Sequence, residues 1–298
     1  MPMTTHFTTQ ITSSIRFFFW FLLPLATGHF VQAAELQSFT GVTHQPTEWS
    51  DGDSFQVRFS DGSIHTIRLY GADCIEWHVT DESDARRLRA QRSYFGISKY
   101  QDSAKASIEL AKSQGAAAAK ALRQLLAEPF TVYTSFADGR GDARYQRIYA
   151  FVKTADGKDL ATELVRLGLA RAYGVYRSTP DGANRNEYIE LLKDTELVAA
   201  RRGVGIWQHT NWDLLPLERQ AQRAAEAEDQ IALGNAPLTG SLNPNTASRD
   251  ELMRVPGIGE TIANRIIEAR PFAVVEDLQR VNGIGAATLD KIRPYFDL

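Results

Sequence analysis

The strongest constraint on this chain is an internal repeat near its end. Leu252-Met-Arg-Val255-Pro-Gly257-Ile258-Gly259 recurs 26 positions later as Leu278-Gln-Arg-Val281-Asn-Gly283-Ile284-Gly285. The match runs on, with Ile266 opposite Ile292 and Arg265 opposite Lys291. Two copies at a fixed offset define one structural unit used twice. Each Gly-x-Gly follows one helix-like segment and opens another. The glycines therefore form a tight interhelical turn and, lacking Cβ, let backbone or a phosphate come close. Ser248-x-x-Glu251 offers a capping box for the helix before the first turn. Amides at the start of each following helix carry the positive end of its dipole, which suits an anion. Arg265 and Lys291 fall two turns into those helices, where they would neutralise neighbouring phosphates.

The 298 residues suggest about two domains. With 43% hydrophobic and 23% charged residues, the chain has the balance of an ordinary globular protein. That excludes a disordered chain and a multi-span membrane protein. The single cysteine, Cys74, excludes a disulfide scaffold and a thiolate zinc site. A formal charge of −3 provides no global basic field, so any attraction to phosphate must come from local clusters. At the amino terminus, Arg16 precedes an apolar run from Phe17 to Ala26, followed by Val31-Gln-Ala33-Ala34. This pattern reads as a signal peptide over residues 1–33, cleaved after Ala33, and implies a secreted or periplasmic protein. An uncleaved membrane anchor is the alternative, disfavoured because Pro24 interrupts a run shorter than the ~20 residues needed to span.

Phe55, Val57 and Phe59 alternate, Ser60-Asp61-Gly62-Ser63 supplies a turn, and Ile64 to Leu69 returns, which predicts a hairpin. Residues 81–127 read as helical, with Leu110, Ala117, Leu122, Leu125 and Leu126 toward one face. Two strands are expected at Thr131–Phe136 and Arg147–Val152, then helices at Leu160–Tyr173 and Asn186–Arg202, the latter closed by Gly203. Residues 213–240 read as a linker between a first domain, 34–212, and the repeat-bearing domain, 241–298.

The predicted hairpin brings its outer ends together. Asp51 and Asp53 would then meet Asp73 and Glu76 at one edge, with Arg68 on the returning strand. Oxygen ligands without His or Cys suit Ca²⁺ or Mg²⁺. Anions and a guanidinium at one place suit phosphoryl transfer, where charge on the phosphate rises at the transition state. Singly, each group reads as a turn or a surface ion pair. It is their combination that carries weight.

Residues 38–208 resemble the thermonuclease family, the staphylococcal-nuclease-like domain. The resemblance rests on Asp51-Gly-Asp53-Ser54, Ile67-Arg68-Leu-Tyr-Gly71-Ala-Asp73-Cys-Ile-Glu76, Arg144-Tyr145-Gln146-Arg147 and Gly205-Ile206-Trp207. It implies an α+β fold, a five-stranded OB barrel with packed helices, and Ca²⁺-dependent cleavage of DNA and RNA that leaves 3′-phosphate ends. Position by position, Asp53 and Asp73 resemble the carboxylate metal ligands, the Cys74 backbone carbonyl a further ligand, and Asp51 an outer-shell partner. Glu76 resembles the residue that positions or deprotonates the attacking water. Arg68 and Arg147 resemble the pair that binds the scissile phosphate. Arg144, Tyr145 and Tyr176 match positions lining the nucleotide site, where an aromatic face stacks on any base. The chain departs from the family pattern at Cys74, at Ile75 in place of a usual Pro, at Ser54 in place of Thr, and at Gly174 in place of a tyrosine. Residues 77–103 are an insertion with Arg86, Arg87, Arg89 and Arg92 beside Tyr94, Phe95 and Tyr100. It reads either as a solvated helix whose arginines pair with Asp81, Glu82 and Asp84, or as a basic flap feeding a strand to the site.

Residues 241–298 resemble a tandem helix-hairpin-helix domain of the competence DNA-uptake type, a small all-α unit. That resemblance implies phosphate contacts without sequence readout through Gly257, Gly259, Arg265, Gly283, Gly285 and Lys291. Some members of that family use the turns for protein contacts instead. The combined expectation is a monomeric nuclease acting on single- and double-stranded DNA, with RNA as a further substrate and no small-molecule cofactor. A DNA-binding receptor with an inactive barrel is the alternative. It is disfavoured because Asp53, Asp73, Glu76, Arg68 and Arg147 occur together.

Overall fold

The alternation that predicts a hairpin folds as one. In the computed structural model, which describes residues 1, 35–139, 147–234 and 240–298, β1 (Gln37–Gln45) leads into β2 (Ser54–Arg58) and β3 (Ile64–Leu69). Phe55 and Val57 point inward and are fully buried. Asp61 Oδ1 closes the turn by accepting from the Ser63 amide at 2.8 Å. After β4 (Ala72–Cys74) come α1 (Glu82–Tyr94) and α2 (Ala104–Leu125), then β5 (Phe130–Asp138) and β6 (Ile148–Lys153). Strands β1, β2, β3, β6 and β5 pair in that order and close on themselves. Closure leaves no exposed sheet edge, and the result is the expected five-stranded barrel with helices packed on it.

The chain continues through α3 (Leu160–Arg166), β7 (Ala170–Ala172), α4 (Arg185–Arg202) and α5 (Leu215–Gly234). On α2 the buried stripe is made of small residues, Ala111, Gly115, Ala118 and Ala119, with Leu122. The helix therefore lies close against its neighbours. Helix α4 opens on a capping box between Asn184 and Glu187 and closes at Gly203, as expected.

Four expectations need correction. Strand β1 does not stand out in the sequence because its residues are mostly exposed, so no alternation marks it. The helical stretch 81–127 is two helices. Between them the chain turns inward to bury Phe95 and Ile97, and Ser103 recaps α2 by accepting from the Ala106 amide at 3.2 Å. The segment 160–173 is helical only to Arg166. Gly168 takes a φ of 66°, and β7 then pairs antiparallel with β4, Asp73 opposite Arg171. The stretch 213–240, expected to be a linker, is helix α5 over most of its length. Glu218 accepts from the Ser98 amide at 3.1 Å, and Arg219 donates to the Tyr94 carbonyl at 3.0 Å, which ties α5 to the end of α1. The signal peptide expected over 1–33 lies outside the described residues apart from Met1. Among the described residues no helix is long and apolar enough to cross a membrane.

The repeat folds as α6 (Arg249–Met253), a turn and α7 (Glu260–Glu268), then a 3-10 turn over Val275–Arg280, a second turn and α8 (Ala286–Ile292). Its matched apolar positions are buried in pairs: Leu252 with Leu278, Val255 with Val281, Ile258 with Ile284, and Ile266 with Ile292. The second copy thus replaces its first helix by a 3-10 turn while keeping the same buried contacts.

Candidate active site and nucleic-acid interface

The hairpin register builds the site. Ser54 pairs with Arg68, and the Leu69 amide donates to the Asp53 carbonyl at 2.9 Å, so Asp53 lies beside the exit of β3. The Cys74 amide donates to Asp53 Oδ1 at 3.0 Å, which holds β4 against the same end. Arg68 Nη2 then stands between two carboxylates, 3.9 Å from Asp53 Oδ2 and 3.7 Å from Asp73 Oδ1. Asp51 Oδ1 accepts from the Ser54 amide at 2.6 Å and from the Asp53 amide at 3.3 Å. The structure therefore gathers Asp51, Asp53, Arg68, Asp73 and Cys74 at one place, with Asp53, Arg68 and Asp73 buried.

The charges in this cluster are unbalanced. Burial pushes Asp53 up to about 6, with Asp73 and Glu76 adding to the push and Arg68 opposing it. Asp51 is raised well above the usual carboxylate range, by burial first and then by Asp53 and Glu76. Asp73 is the exception: burial would raise it, but Arg171 and Arg68 outweigh that and hold it low. Carboxylates that destabilise one another in this way fit a cation. Among the described residues no three His, Cys, Asp or Glu side chains are grouped to hold a metal ion. Asp53 and Asp73, with a backbone carbonyl and water, are the oxygen donors that a hard cation would take there. Cys74 Sγ takes no part. Burial and the surrounding carboxylates push its thiol well up, which leaves it un-ionised. Its side chain fills the space where a Cβ on Gly52 would sit, 2.4 Å from Sγ. Gly52→Ala is expected to cost about 1–3 kcal/mol by overpacking. Adding Cys74→Ala should recover part of that loss in urea unfolding.

The opposite imbalance surrounds Arg147. Its Nη1 donates to Ser54 Oγ at 3.2 Å. Burial lowers Arg147 to about 10, with Arg68, Arg87 and Arg249 lowering it further and Asp51 opposing. It stays protonated at neutral pH among like charges, which is the electrostatics of a phosphate site. Arg144 and Tyr145 lie outside the described residues. Tyr176 is half-buried, its ring edge-on to Tyr188 with centroids 6.4 Å apart.

Apart from Arg87, the further residues at the site are absent from the sequence reading. Arg171 Nε binds Asp73 Oδ2 at 2.7 Å from across the β4–β7 pair. An expected helix at that position concealed it. In the insertion Arg87 pairs with Asp84, as the solvated-helix reading expects, but the helix does more than face solvent. Helix α1 lies on the site, Arg87 Nε standing 2.9 Å from Glu76 Oε1, while Gln91 is fully buried against the 73–76 loop. Arg249, the first residue of α6, brings a further charge near Arg147. The one local signal for these was the i, i+4 spacing of Arg87 and Gln91 on a helix next to the loop.

In the repeat, Gly257 and Gly283 hold φ of 89° and 104°, and Gly259 and Gly285 are the N-caps of α7 and α8. The Cβ positions of Gly257 and Gly285 face open space. Lys291 is exposed. Arg265 is partly exposed, and its Nη1 donates to the Asn282 carbonyl at 2.8 Å, bracing the second turn. The repeat also docks on the barrel side. Glu268 pairs with Arg185 of α4, Nη2 to Oε2 at 3.2 Å, and accepts from the Tyr176 backbone amide.

Comparison with known proteins fits this geometry. Residues 66–209 match the model described as staphylococcal nuclease homologue, and residues 239–297 match the helix-hairpin-helix motif. The mouse Endonuclease/exonuclease/phosphatase family domain-containing protein 1 is 44% identical over 157 residues, 48% of this chain and 26% of that protein. Its human counterpart is 31% identical over the same shares. A protein named Deoxyribonuclease from Thioalkalivibrio sp. (strain K90mix) is 41% identical over 69 residues, 23% of this chain and 17% of that protein. The chain thus spans about a quarter of the length of the mammalian relatives it matches. The barrel and the repeated turns agree with these matches: residues 66–209 are similar to staphylococcal nuclease homologues, and residues 239–297 that follow carry a helix-hairpin-helix motif.

Proposed function

We propose that the protein is a Ca²⁺-dependent, exported nuclease that hydrolyses phosphodiester bonds of DNA, and of RNA, to 3′-phosphate ends. The observation that carries this reading is the gathering of opposite charges at one end of the hairpin. Arg68 Nη2 lies between the buried carboxylates of Asp53 and Asp73, and half-buried Arg147 donates to Oγ of Ser54, whose backbone amide donates to Asp51. Asp53 and Asp73, with the Cys74 carbonyl, would hold the divalent cation, which supplies charge neutralisation at the phosphate. Arg68 and Arg147 bind the scissile phosphate and stabilise the charge it gains. Ser54, hydrogen-bonded to Arg147 and paired in register with Arg68, keeps both guanidiniums aimed at one place. Glu76 positions the attacking water and takes its proton, while Arg87 Nε, 2.9 Å from Oε1, orients that carboxylate.

The experiment is cleavage of single- and double-stranded DNA and of RNA by the purified protein, with Ca²⁺ and then with chelator. Cleavage that stops on chelation and returns with Ca²⁺ is expected. DNA binding without cleavage under any divalent ion would favour the receptor reading instead. For export, N-terminal sequencing of the extracellular or periplasmic protein should begin at Ala34.

The helix-hairpin-helix motif adds duplex affinity through the amides at its turns and through Lys291. Lys291→Glu is expected to weaken duplex binding several-fold and to flatten its dependence on salt by about one charge or more. Fluorescence anisotropy across a salt series measures both. An unchanged salt slope would remove Lys291 from the interface.

A further inference from the structure

We propose that Gln91 is a positioning residue for the divalent-cation site, supplied by the inserted helix α1; this rests on the cation-dependent reading above. Its side chain is fully buried, an unusual place for a glutamine. It is held by three contacts, all to one short loop. Nε2 donates to Asp73 Oδ2 at 2.9 Å and to the Cys74 carbonyl at 2.7 Å, and Oε1 accepts from the Glu76 amide at 2.9 Å. One amide thus touches a carboxylate ligand, the carbonyl ligand and the backbone of the residue that positions water.

These contacts have consequences for the site. Asp73 Oδ2 is taken by Gln91 and by Arg171 Nε at 2.7 Å, so its other oxygen, Oδ1, is the one on the Arg68 side. The Cys74 carbonyl is oriented while keeping a second lone pair. The Glu76 amide is pinned at the point where the chain leaves β4. Gln91 thus fixes this loop from outside it, through α1. Helix α1 is itself anchored, by buried Leu88 one turn earlier and by Arg87 on Glu76. Groups that orient metal ligands tune affinity by about 10- to 100-fold.

The test is calorimetric titration of Ca²⁺ into the full protein, without nucleic acid, for wild type, Gln91→Ala, Gln91→Met and Leu88→Ala. Gln91→Met keeps the volume of the side chain and removes its hydrogen bonds, so it serves if the alanine variant does not fold. Leu88→Ala lowers thermal stability through the same helix while removing none of the three hydrogen bonds to the loop. The expected result is a Ca²⁺ Kd raised at least about tenfold in both Gln91 variants and within about twofold of wild type in Leu88→Ala. Cleavage assays should show the half-saturating Ca²⁺ shifted by a matching factor. If wild type binds Ca²⁺ and the Gln91 variants bind it equally well, the positioning role is overturned and the nuclease reading stands. If Leu88→Ala weakens Ca²⁺ as much as the Gln91 variants do, the effect is general loosening of α1, and the role is again overturned. If wild type itself binds no Ca²⁺, the cation-dependent reading falls and this inference with it.

Discussion

Replacing Arg147 by alanine is expected to lower kcat on DNA about a thousandfold while changing KM little. The size follows from what such groups contribute when charge develops in a site that excludes water. Removal of one preorganised donor costs about 10²–10³ in rate. Arg147 is placed for that role. It is half-buried, remains a cation even with its value lowered to about 10, and has one nitrogen fixed on Ser54. The phosphate gains negative charge toward the transition state, so the loss should fall on kcat rather than on ground-state binding. Arg147→Lys keeps the charge but loses the planar fork and should recover only a small part of the rate. Single-turnover cleavage separates the chemical step from binding. An alanine variant within about tenfold of wild type would remove Arg147 from the reacting centre.

The second large effect is expected at Asp73, and it concerns stability as well as activity. Asp73 is the common partner of three buried groups: Arg171 Nε at 2.7 Å, Gln91 Nε2 at 2.9 Å and Arg68 Nη2 at 3.7 Å. Arg171 is 5% exposed at its side chain, so removing the carboxylate strands a guanidinium inside the protein. Breaking one half of a buried pair in this way costs about 3–5 kcal/mol. Asp73→Ala should therefore show a lowered urea midpoint and no cleavage. Arg171→Ala leaves Asp73 with Arg68 and should cost less. Removing both Asp73 and Arg171 should cost less than the sum of the single losses, because no charge is then left unpaired. If the two losses simply add, the Asp73–Arg171 pair is not the source of the destabilisation.

Asp73 also shows how much of the site was legible in the sequence. Its place beside Asp53 follows from the hairpin alone: alternation sets which residues face inward, the Asp61–Ser63 turn sets the register, and register sets which ends meet. Its partner Arg171 was not legible. Residues 160–173 carry a helical pattern at first, and Ala170–Ala172 become strand because β4 is there to pair with them. A three-residue strand is too short to have a periodicity of its own. The same limit hid β1, whose exposed residues show no alternation, and α5, whose polar composition reads as linker until its docking on α1 is seen.

By itself, the sequence determined those features that repeat or alternate locally. These are the barrel hairpin, the carboxylates at its outer end, the capped helix α4, and the two hairpin turns with their matched buried positions. Each arises from a pattern spanning a few residues, because side-chain direction in a strand or helix is set by backbone geometry. Only the tertiary structure decided what surrounds those groups. Gln91 and Arg87 reach the site from the insertion, Arg171 from across a two-stranded sheet, and Arg249 from the repeat. A polar side chain can be buried only where its partners are already in place. Here those partners come from distant parts of the chain, so beyond the i, i+4 spacing of Arg87 and Gln91 no local pattern in the sequence announces them.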